Sequence, residues 1–565
     1  MDLNNREIAG ILSETAKLME LHEANEFKLK SLQNAAFVIS RYPSPLTGIP
    51  AAEREQIKGI GKSINQKISE ILNTGTLEEY ETYAKVTPQG VVQMMRIKGI
   101  GPKKVAVLWK QLGVETPGEL LYACNENRLV ELKGFGMKTQ DLIRKAIEYN
   151  ISSRGFFHYA SLDVFAKELL NELRSTGIFR SADLTGEIRR KCELLREIEI
   201  ILSADDISTA VTSIKEIPLL KDFQSDFNDT ILILTGPESV KVKIYLADEN
   251  SFASELFFTS ASAAHIEKLS SLPGFNEIKN KKFKSEADIY TSLRLAYIEP
   301  ELREGFDEID LASANKLPEL LKFEDLKGCL HNHSTWSDGL NSLKEMALAC
   351  RDAGYNYLGI CDHSKSAFYA NGLSDERVLQ QHEEIDKLNK ELAPFIIFKG
   401  IESDILHDGS LDYSEGILKK FDFIVASVHS GLKMTKEKAT ERLLKAIANP
   451  YTTILGHPTS RLLLAREGYP LDHEAVIDAC AKHNVIIELN ANPYRLDMDW
   501  RWIRYALSKN VMISVNPDAH QVSTISHMYY GVCAGRKGGL TQKMTFNTLS
   551  AGEAGAWFLN KRNSM

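Results

Sequence analysis

The sequence LHNHSTWSDG, from Leu330 to Gly339, places two histidines two residues apart and an aspartate shortly after them. Side chains alternate between the two faces of a β-strand, so residues two apart point the same way. At the end of a strand, His331 and His333 can therefore reach one metal ion, and Asp338 can reach a neighbouring ion from the following loop. A single His-x-His pair is weak evidence for a metal site, but further possible ligands follow in the sequence.

Further apolar, strand-like runs in the C-terminal part also end in possible metal ligands. Of the 14 histidines in the chain, 11 lie at or beyond residue 331. Amphipathic segments such as SLKEMALACRDAG separate the runs, and this alternation predicts parallel βα units. Ligands at the carboxyl ends of such strands converge on one face of a barrel, where barrels of this type carry their chemistry. The candidates after these runs are His363, Glu402, His429, His457, Asp518 and His520.

The complete candidate set contains six imidazoles, three carboxylates and no thiolate. This mixture suits Mn²⁺, Zn²⁺ or Fe better than Ca²⁺ or an iron–sulfur cluster. Nine ligands are too many for one ion, so we expect two or three divalent ions, with Mn²⁺ first and Zn²⁺ or Fe as alternatives. Such a cluster can activate water and bind both the attacking and the leaving oxygen of a phosphoester. We regard the other histidines of this part as ordinary core or surface residues: His382, His407, His473, His483 and His527.

Composition limits the class of protein. A chain of 565 residues, 43% of them hydrophobic, can form several packed domains. No apolar run reaches membrane-spanning length, and the opening MDLNNREIAG does not form a signal peptide. Seven scattered cysteines without C-x-x-C fit a reducing compartment, so we expect a cytoplasmic protein with no membrane partner.

The charge of the chain neither requires nor excludes a nucleic-acid partner. The formal net charge is −8, but residues 1–150 carry 20 Lys and Arg against 18 Asp and Glu. The N-terminal part is therefore near +2 while the remainder is near −10, by difference of these counts. A local basic surface is what contacts phosphates, so the net value is a poor guide to DNA binding.

A repeat occupies the N-terminal part. Segments beginning at Ile57, Ile97 and Leu132 each carry an apolar residue, a lysine and Gly-x-Gly ahead of a helix-like stretch. Glycines let the backbone approach a phosphate and present N–H groups at the N-terminus of the next helix, while nearby lysines add charge without reading sequence. One copy is usually only a tight turn, but three copies resemble the helix–hairpin–helix, which binds the DNA backbone regardless of sequence. The candidate DNA contacts are Gly59, Gly61, Lys62, Gly99, Gly101, Lys103, Gly134, Gly136 and Lys138.

The C-terminal ligand pattern resembles the PHP (polymerase and histidinol phosphatase) domain over about residues 325–565, with all nine metal-binding positions filled. The resemblance implies that Glu402 bridges two ions and that Glu402 and Asp518 are the catalytic carboxylates. Asp338 stands where many PHP domains have histidine, and both residue types bind metal. The implied ligand sets are His331, His333, Glu402 and Asp518 for one ion, Glu402, His429 and His457 for a second, and Asp338, His363 and His520 for a third.

Residues 1–322 resemble a family X DNA polymerase, related to DNA polymerase beta, and fusions of such polymerases to a PHP domain are the bacterial PolX proteins. The resemblance implies a multidomain fold: a helical helix–hairpin–helix part, an α+β palm and thumb, and an α/β PHP barrel. We expect a lyase-like domain at 1–85, fingers at 86–150, a palm at 151–248, a thumb at 249–322 and the PHP domain at 323–565.

Lys67 falls where the lyase domain of this family has its Schiff-base lysine. A partly neutral lysine amine can attack the sugar aldehyde of an abasic site. The alternative is a helix lysine that contacts phosphate, and the sequence does not decide between the two.

The palm signature departs from the family pattern in GEIRRKCELLREIEIIL, residues 186–202. The family has Gly-Ser, two arginines and two aspartates separated by one residue. Here Glu187 replaces the serine, Glu197 and Glu199 replace the aspartates, and Lys243 aligns with a third aspartate. Nucleotidyl transfer needs two Mg²⁺ ions held by short carboxylates. A longer glutamate misplaces an ion and a lysine brings positive charge where metal should lie, so we expect polymerase activity to be lost or very weak.

These features predict a metal-dependent DNA phosphodiesterase, a 3′→5′ exonuclease in DNA repair. We expect a monomer that binds gapped or single-stranded DNA. Arg461, shortly after GHPTS, is a candidate for phosphate contact or an ordinary surface arginine. The main alternative function is an active family X polymerase with PHP proofreading. A non-catalytic DNA-binding scaffold and a small-molecule phosphatase of the histidinol phosphate type are the other two.

Overall fold

The chain forms two compact units, residues 1–154 and residues 155–565, in a computed structural model that describes residues 3–563 with short gaps. The positions not described are 1, 2, 98, 118, 119, 121, 122, 125–128, 130, 131, 133, 153, 154, 238, 239, 465, 466, 564 and 565, together with the side chains of 148–152, 279 and 369.

The described part of the first unit is helical. Its helices are amphipathic, and their apolar faces bury residues such as Ile8, Leu12 and Ile64 in one cluster and Leu108 and Ile143 in another. The helices are α1 (Asn5–Leu21), α2 (Glu26–Ser40), α3 (Ala51–Arg54), α4 (Lys62–Thr74), α5 (Glu78–Val86), α6 (Gln89–Met94), α7 (Pro102–Leu112) and α8 (Met137–Ser152).

The second unit begins with an α+β part whose sheet has the order β2-β4-β7-β6-β5. The β4–β7 pair is parallel and the other three described pairs of this sheet are antiparallel, while a short pair, β1 with β3, lies outside it. The strands are β1 (Phe157–His158), β2 (Ala182–Thr185), β3 (Leu194–Leu195), β4 (Ile198–Ser203), β5 (Gln224–Asn228), β6 (Ile231–Thr235) and β7 (Lys241–Ala247). The helices are α9 (Tyr159–Ser175), α10 (Gly186–Arg189), α11 (Ile207–Lys215), α12 (Phe252–Ser260), α13 (Ala263–Ser270), α14 (Glu286–Ser292) and α15 (Glu308–Ser313).

Parallel strands that alternate with helices form the remainder of the second unit. The strands are β8 (Gly328–Asn332), β9 (Tyr357–Ile360), β10 (Ile396–Asp404), β11 (Phe423–Ser427), β12 (Ile454–Leu455), β13 (Ile486–Asn490) and β14 (Ile513–Asn516). The helices are α16 (Leu343–Asp352), α17 (Asp375–Glu391), α18 (Glu415–Leu418), α19 (Lys436–Ala448), α20 (His473–His483), α21 (Ile503–Ser508), α22 (Met528–Lys537) and α23 (Ala551–Asn563).

The seven strands from β8 to β14 are ordered in the sheet as they are in the chain, and each pair is parallel. A bridge between Asn332 and Ala519 joins the ends of the first and last strands, so the sheet is nearly closed into a barrel. These strands are almost entirely buried, as expected for parallel strands covered on both faces. The carboxyl ends of all seven strands therefore open on the same face.

The predicted fold class is confirmed: a helical N-terminal part, an α+β middle and a C-terminal α/β barrel follow one another along the chain. The finer division at 1–85, 86–150, 151–248, 249–322 and 323–565 stays a prediction. No helix among the described residues is long and apolar enough to cross a membrane.

Candidate metal centre and nucleic-acid interface

The nine predicted metal ligands all lie at the open, carboxyl-end face of the barrel. The fold brings them there because each follows or ends a parallel strand, although they are spread over 190 residues of sequence, from 331 to 520. Asp338 and His520 are partly exposed, and the others are buried or nearly so. His331 belongs to β8 and Glu402 to β10, while the rest lie in the loops after β8 (His333, Asp338), β9 (His363), β11 (His429), β12 (His457) and β14 (Asp518, His520).

Glu402 lies at the middle of this cluster. Its side chain is 1% exposed, and imidazole nitrogens approach its two oxygens from five histidines. A carboxylate with this many nitrogen neighbours is suited to bridge two cations. The distances to a Glu402 oxygen are 3.3 Å from His331 Nε2, 3.7 Å from His333 Nε2, 3.0 Å from His363 Nδ1, 3.1 Å from His429 Nε2 and 3.0 Å from His457 Nε2.

The remaining carboxylates join the same cluster. Asp518 Oδ1 is 3.1 Å from His333 Nε2, and Asp338 is 3.6 Å from His363 Nε2 and 3.4 Å from His520 Nε2. Donor atoms from at least three residues lie within 4.8 Å of one another in three overlapping groups. These groups are His333, Asp338, His363 and His520, then His331, His333 and Asp518, and then His363, Glu402 and His429.

Two of the histidines have a tautomer that requires a cation beside Glu402. His331 Nδ1 lies 2.6 Å from the buried carboxylate of Glu488, and His429 Nδ1 lies 2.5 Å from that of Asp404. Each Nδ1 must therefore carry a proton to donate, so in the neutral ring Nε2 holds a lone pair. That lone pair faces a Glu402 oxygen, and two acceptors face each other stably only when a proton or a metal ion lies between them. The donor set therefore fits divalent metal ions.

The pKa values of two of these histidines, His429 and His363, show the same need for positive charge beside Glu402. Burial lowers the pKa of His429, but Glu402 and Asp404 outweigh burial and raise it to about 9. For His363, burial is outweighed by Glu402 and Asp338, which raise its pKa to about 10. Protons thus occupy, in the metal-free protein, positions that cations would take.

The sequence analysis missed the residues that orient these ligands. Glu488 and Asn490 lie in β13, where Glu488 also accepts a hydrogen bond from the His457 backbone and Asn490 donates to Asp518. Arg495 Nη1 donates to Asp518 Oδ2 at 3.0 Å. The signal for the β13 pair was present, because a glutamate and an asparagine two apart in the apolar run VIIELN must point to the same face.

The residues of the predicted palm signature do not form a cluster of ligands like that of the barrel. Glu199 lies on β4 directly beside Lys243 on β7. The Glu199 carboxylate accepts hydrogen bonds from the Tyr245 hydroxyl and the Glu187 backbone, and burial is the main cause that raises its pKa. Lys243 Nζ lies 3.7 Å from Glu197 Oε1. Within the described residues, no group of three metal-ligating side chains occurs in this part.

The two arginines of the palm signature are paired with carboxylates inside the protein. Arg189 forms a two-pronged pair with Glu286, at 3.0 and 2.6 Å, and Arg190 Nε lies 3.0 Å from Glu304. Arg190 also donates to the backbone oxygen of Ser260. Neither guanidinium is available to a nucleotide without breaking an internal ion pair.

The three Gly-x-Gly repeats have the expected hairpin geometry. The first glycine of each has a positive φ, +100° at Gly59, +88° at Gly99 and +89° at Gly134, which side chains disfavour. The second glycine of each pair, Gly61, Gly101 or Gly136, directly precedes a helix, α4, α7 or α8. Lys62, Lys103 and Lys138 are exposed in the first turn of those helices. Each repeat thus presents helix N-terminal N–H groups and a lysine, as phosphate binding requires.

Lys67 and Arg461 both have carboxylate partners. Lys67 Nζ forms an ion pair with Glu79, so a substrate aldehyde would have to displace this carboxylate to reach the amine. Arg461 is mostly buried, and its guanidinium pairs with Glu193 and Asp499. Arg461 is therefore not a surface arginine, and its hydrogen-bonding groups are used within the protein.

Family models match three segments of the chain. A helix–hairpin–helix domain model matches residues 3–77, and a SAM-like helix–hairpin–helix tandem model matches residues 92–148. A PHP domain model matches residues 330–492. The matches fall on the three Gly-x-Gly repeats and on most of the barrel.

Curated relatives extend the comparison. A probable phosphatase of Thermoanaerobacter sp. (strain X514) is 30% identical over 162 residues, which cover 27% of this chain and 64% of that protein. A probable phosphatase of Vibrio atlanticus (strain LGP32) is 29% identical over 211 residues, 35% of this chain and 79% of that protein. The DNA polymerase/3′-5′ exonuclease PolX of Bacillus subtilis (strain 168) is 32% identical over 575 residues, 99% of this chain and 100% of that protein. Since this last match spans both chains from end to end, the chain belongs to the PolX family.

Proposed function

We propose that this protein is a metal-dependent phosphodiesterase that removes nucleotides from the 3′ end of DNA, with polymerase activity lost or very weak. The observation that carries the proposal is Glu402, a buried carboxylate faced by nitrogens of five histidines. The name of the Bacillus relative includes 3′-5′ exonuclease, which supports the direction of cleavage. Repair of gapped or single-stranded DNA by a monomer is part of the proposal.

Divalent ions, Mn²⁺ by our expectation, would be held by the nine ligands in the three implied sets. When bound, they supply a nucleophilic hydroxide at neutral pH and neutralise the charge that develops on the phosphate oxygens. Glu402 would belong to two neighbouring sets, and Asp518, which lies beside His333, would complete the first set.

The chain's own residues would perform the remaining tasks. Glu488 and Asp404 fix the tautomers of His331 and His429, so that Nε2 of each ring presents its lone pair toward the cluster. Arg495 keeps one Asp518 oxygen occupied by a hydrogen bond and so orients the other oxygen toward His333. Glu488 and Asp404 are buried, which limits the water that reaches their contacts with the histidines.

The contacts of the palm support the loss of polymerase activity. A nucleotidyl transfer site needs free carboxylates at the strand ends, but Glu199 is tied to Tyr245 and to the Glu187 backbone. Lys243 places an ammonium 3.7 Å from Glu197, where a cation would otherwise bind. An added metal ion would have to displace or repel that ammonium.

An active polymerase with PHP proofreading is the second candidate, because the name of the full-length Bacillus relative also includes DNA polymerase. This candidate requires Glu197 and Glu199 to hold metal despite Lys243. It also requires Arg189 and Arg190 to be released from their internal ion pairs.

A primer assay tests the proposal. A 5′-labelled primer on a gapped template is incubated with the full-length protein and Mn²⁺, with and without dNTPs, beside His333→Ala and Glu402→Ala. His483→Ala is the matched control, because His483 lies at the C-terminal end of α20, outside the cluster.

We expect wild type and His483→Ala to shorten the primer, and His333→Ala and Glu402→Ala to leave it intact. We expect none of the four proteins to extend the primer when dNTPs are present. Extension that survives His333→Ala and Glu402→Ala would show that the palm is active. Shortening that survives these two substitutions would place the nuclease outside the barrel.

A further inference from the structure

The palm side chain of Glu193 contacts the barrel part directly, and its ion-pair partners among the described residues belong to the barrel. In sequence, Glu193 lies between the two signature arginines and the glutamates Glu197 and Glu199, and its side chain is 12% exposed. One of its carboxylate oxygens accepts a hydrogen bond from Arg461 Nη2 at 3.1 Å, and the other accepts one from Trp500 Nε1 at 3.1 Å. Arg461 lies in a loop of the barrel and Trp500 begins a short 3-10 helix that follows another loop, so Glu193 connects these two segments to the palm.

Arg461 in turn joins two loops of the metal centre. It lies in the loop that starts at the proposed ligand His457, residues 457–464. Its Nε donates to the backbone oxygen of Arg495 at 3.0 Å, and its Nη2 also donates to that of Leu496. Arg461 therefore fastens the loop of residues 492–499 to the loop of residues 457–464.

The loop of residues 492–499 carries a side chain that reaches the metal centre. Arg495 Nη1 donates to Asp518 Oδ2 at 3.0 Å, and the Arg495 side chain is 15% exposed. The palm also contacts this loop at a second point, where the ring of His158 packs edge-on against Tyr494 with centroids 4.8 Å apart. A shift of this loop would move the hydrogen-bond donor of a proposed metal ligand.

We propose that Glu193 is a positioning residue for the nuclease site: the palm carboxylate holds Arg461 and Trp500, and through them holds Arg495 against Asp518. The inference rests on the proposed function, in which Asp518 binds metal. It gives the palm a role that does not depend on nucleotidyl transfer. Because misplacement of a catalytic group by about 1 Å can cost on the order of 10²-fold in rate, a residue outside the metal cluster can control turnover.

The experiment compares Glu193→Ala, Glu193→Gln and Trp500→Phe in the full-length protein. The substrate is a 5′-labelled single-stranded oligonucleotide with Mn²⁺, and kcat and KM are measured separately. Hydrogen–deuterium exchange of peptides that cover residues 492–499 gives a readout independent of activity, since the Arg495 and Leu496 amides are hydrogen-bonded to the Asn492 carbonyl. Asp205→Asn is the control, an exposed palm carboxylate that pairs with Arg180.

Glu193→Ala is expected to lower kcat about tenfold or more with KM within about twofold of wild type, and to speed exchange at residues 492–499. Glu193→Gln keeps one acceptor oxygen and should recover part of kcat, and Trp500→Phe, which removes one donor, should show a smaller loss. Asp205→Asn should match wild type in both measurements.

Unchanged kcat and exchange in a folded Glu193→Ala protein would overturn the proposal. If that variant does not fold, unchanged kcat and exchange in both Glu193→Gln and Trp500→Phe would overturn it. If wild type does not cut DNA, the proposed function fails by itself, and exchange at residues 492–499 still decides whether Glu193 positions this loop.

Discussion

The ring nitrogen that a histidine offers to a metal ion depends on the partner of its other nitrogen. In this protein the partners of two proposed ligands, His331 and His429, are buried carboxylates, Glu488 and Asp404. These contacts join β8 to β13, and the end of β10 to the loop after β11. Residue spacing alone does not show them, because the pairs are 157 and 25 residues apart in sequence.

The first prediction concerns these two carboxylates. Glu488→Gln and Asp404→Asn keep the shape of the side chain but remove the charge that raises the basicity of the histidine. We expect each to lower Mn²⁺ affinity about 10- to 100-fold, measured by calorimetric titration of protein stripped with a chelator. Asp386→Asn, which changes an exposed carboxylate on α17, is the control. Affinities within twofold of wild type would contradict the role assigned to Glu488 and Asp404.

The second prediction concerns protons released by metal binding. Burial lowers the pKa of three histidines in the cluster, but neighbouring carboxylates outweigh it. In the metal-free protein the resulting pKa values are about 10 for His363, about 9 for His429 and about 8 for His520. These rings carry protons at pH 7 and must lose them to bind metal, so Mn²⁺ affinity should rise as pH increases from 7 toward 9. Calorimetry at pH 7 in two buffers of different ionisation enthalpy should detect at least about one proton released per protein. No release would show that the rings are neutral before metal binds.

At the scale of the element, the helix–hairpin–helix repeats lead to a third prediction. Lys62, Lys103 and Lys138 are exposed, each in the first turn of a helix. If each contacts a phosphate, replacing all three with alanine should weaken single-stranded DNA binding and reduce the slope of log K against log salt by about 0.7 per lysine. Fluorescence anisotropy at several salt concentrations measures both quantities. Lys85→Ala, an exposed lysine on α5, is the control, and an unchanged slope in the triple variant would remove these lysines from the interface.

Elements with a strong local pattern could be predicted from sequence. The run of apolar segments ending in His363, His429 and His457 indicated parallel strands whose ends meet, and the barrel has those residues at one face. The Gly-x-Gly turns were equally local, because the backbone conformation at Gly59 and its equivalents follows from the residue type. Arg461 illustrates the limit, since its partner Glu193 comes from the α+β part, 268 residues earlier in the chain.

At the scale of the whole molecule, the palm and the barrel are parts of one compact unit. Three barrel side chains contact the α+β part through hydrogen bonds or ion pairs. Glu193 accepts from Arg461 and Trp500, and Glu304 pairs with Lys537. These contacts give the palm a structural role that does not depend on nucleotidyl transfer. Substitutions at these contacts would disturb both parts.

The buried ion pairs of Glu304 provide the last prediction. Glu304, in the part before the barrel, pairs with Arg190 at 3.0 Å and with Lys537, whose side chain is 2% exposed. Glu304→Ala leaves two buried cations without their carboxylate, so it should destabilise the second unit by about 3 kcal/mol or more, whereas exposed Glu216→Ala should be close to neutral. Denaturant unfolding measures the loss, and hydrogen–deuterium exchange locates it. Faster exchange in both β4 and α22 is expected because the lost carboxylate connects the two parts, and faster exchange confined to β4 would show that palm and barrel unfold independently.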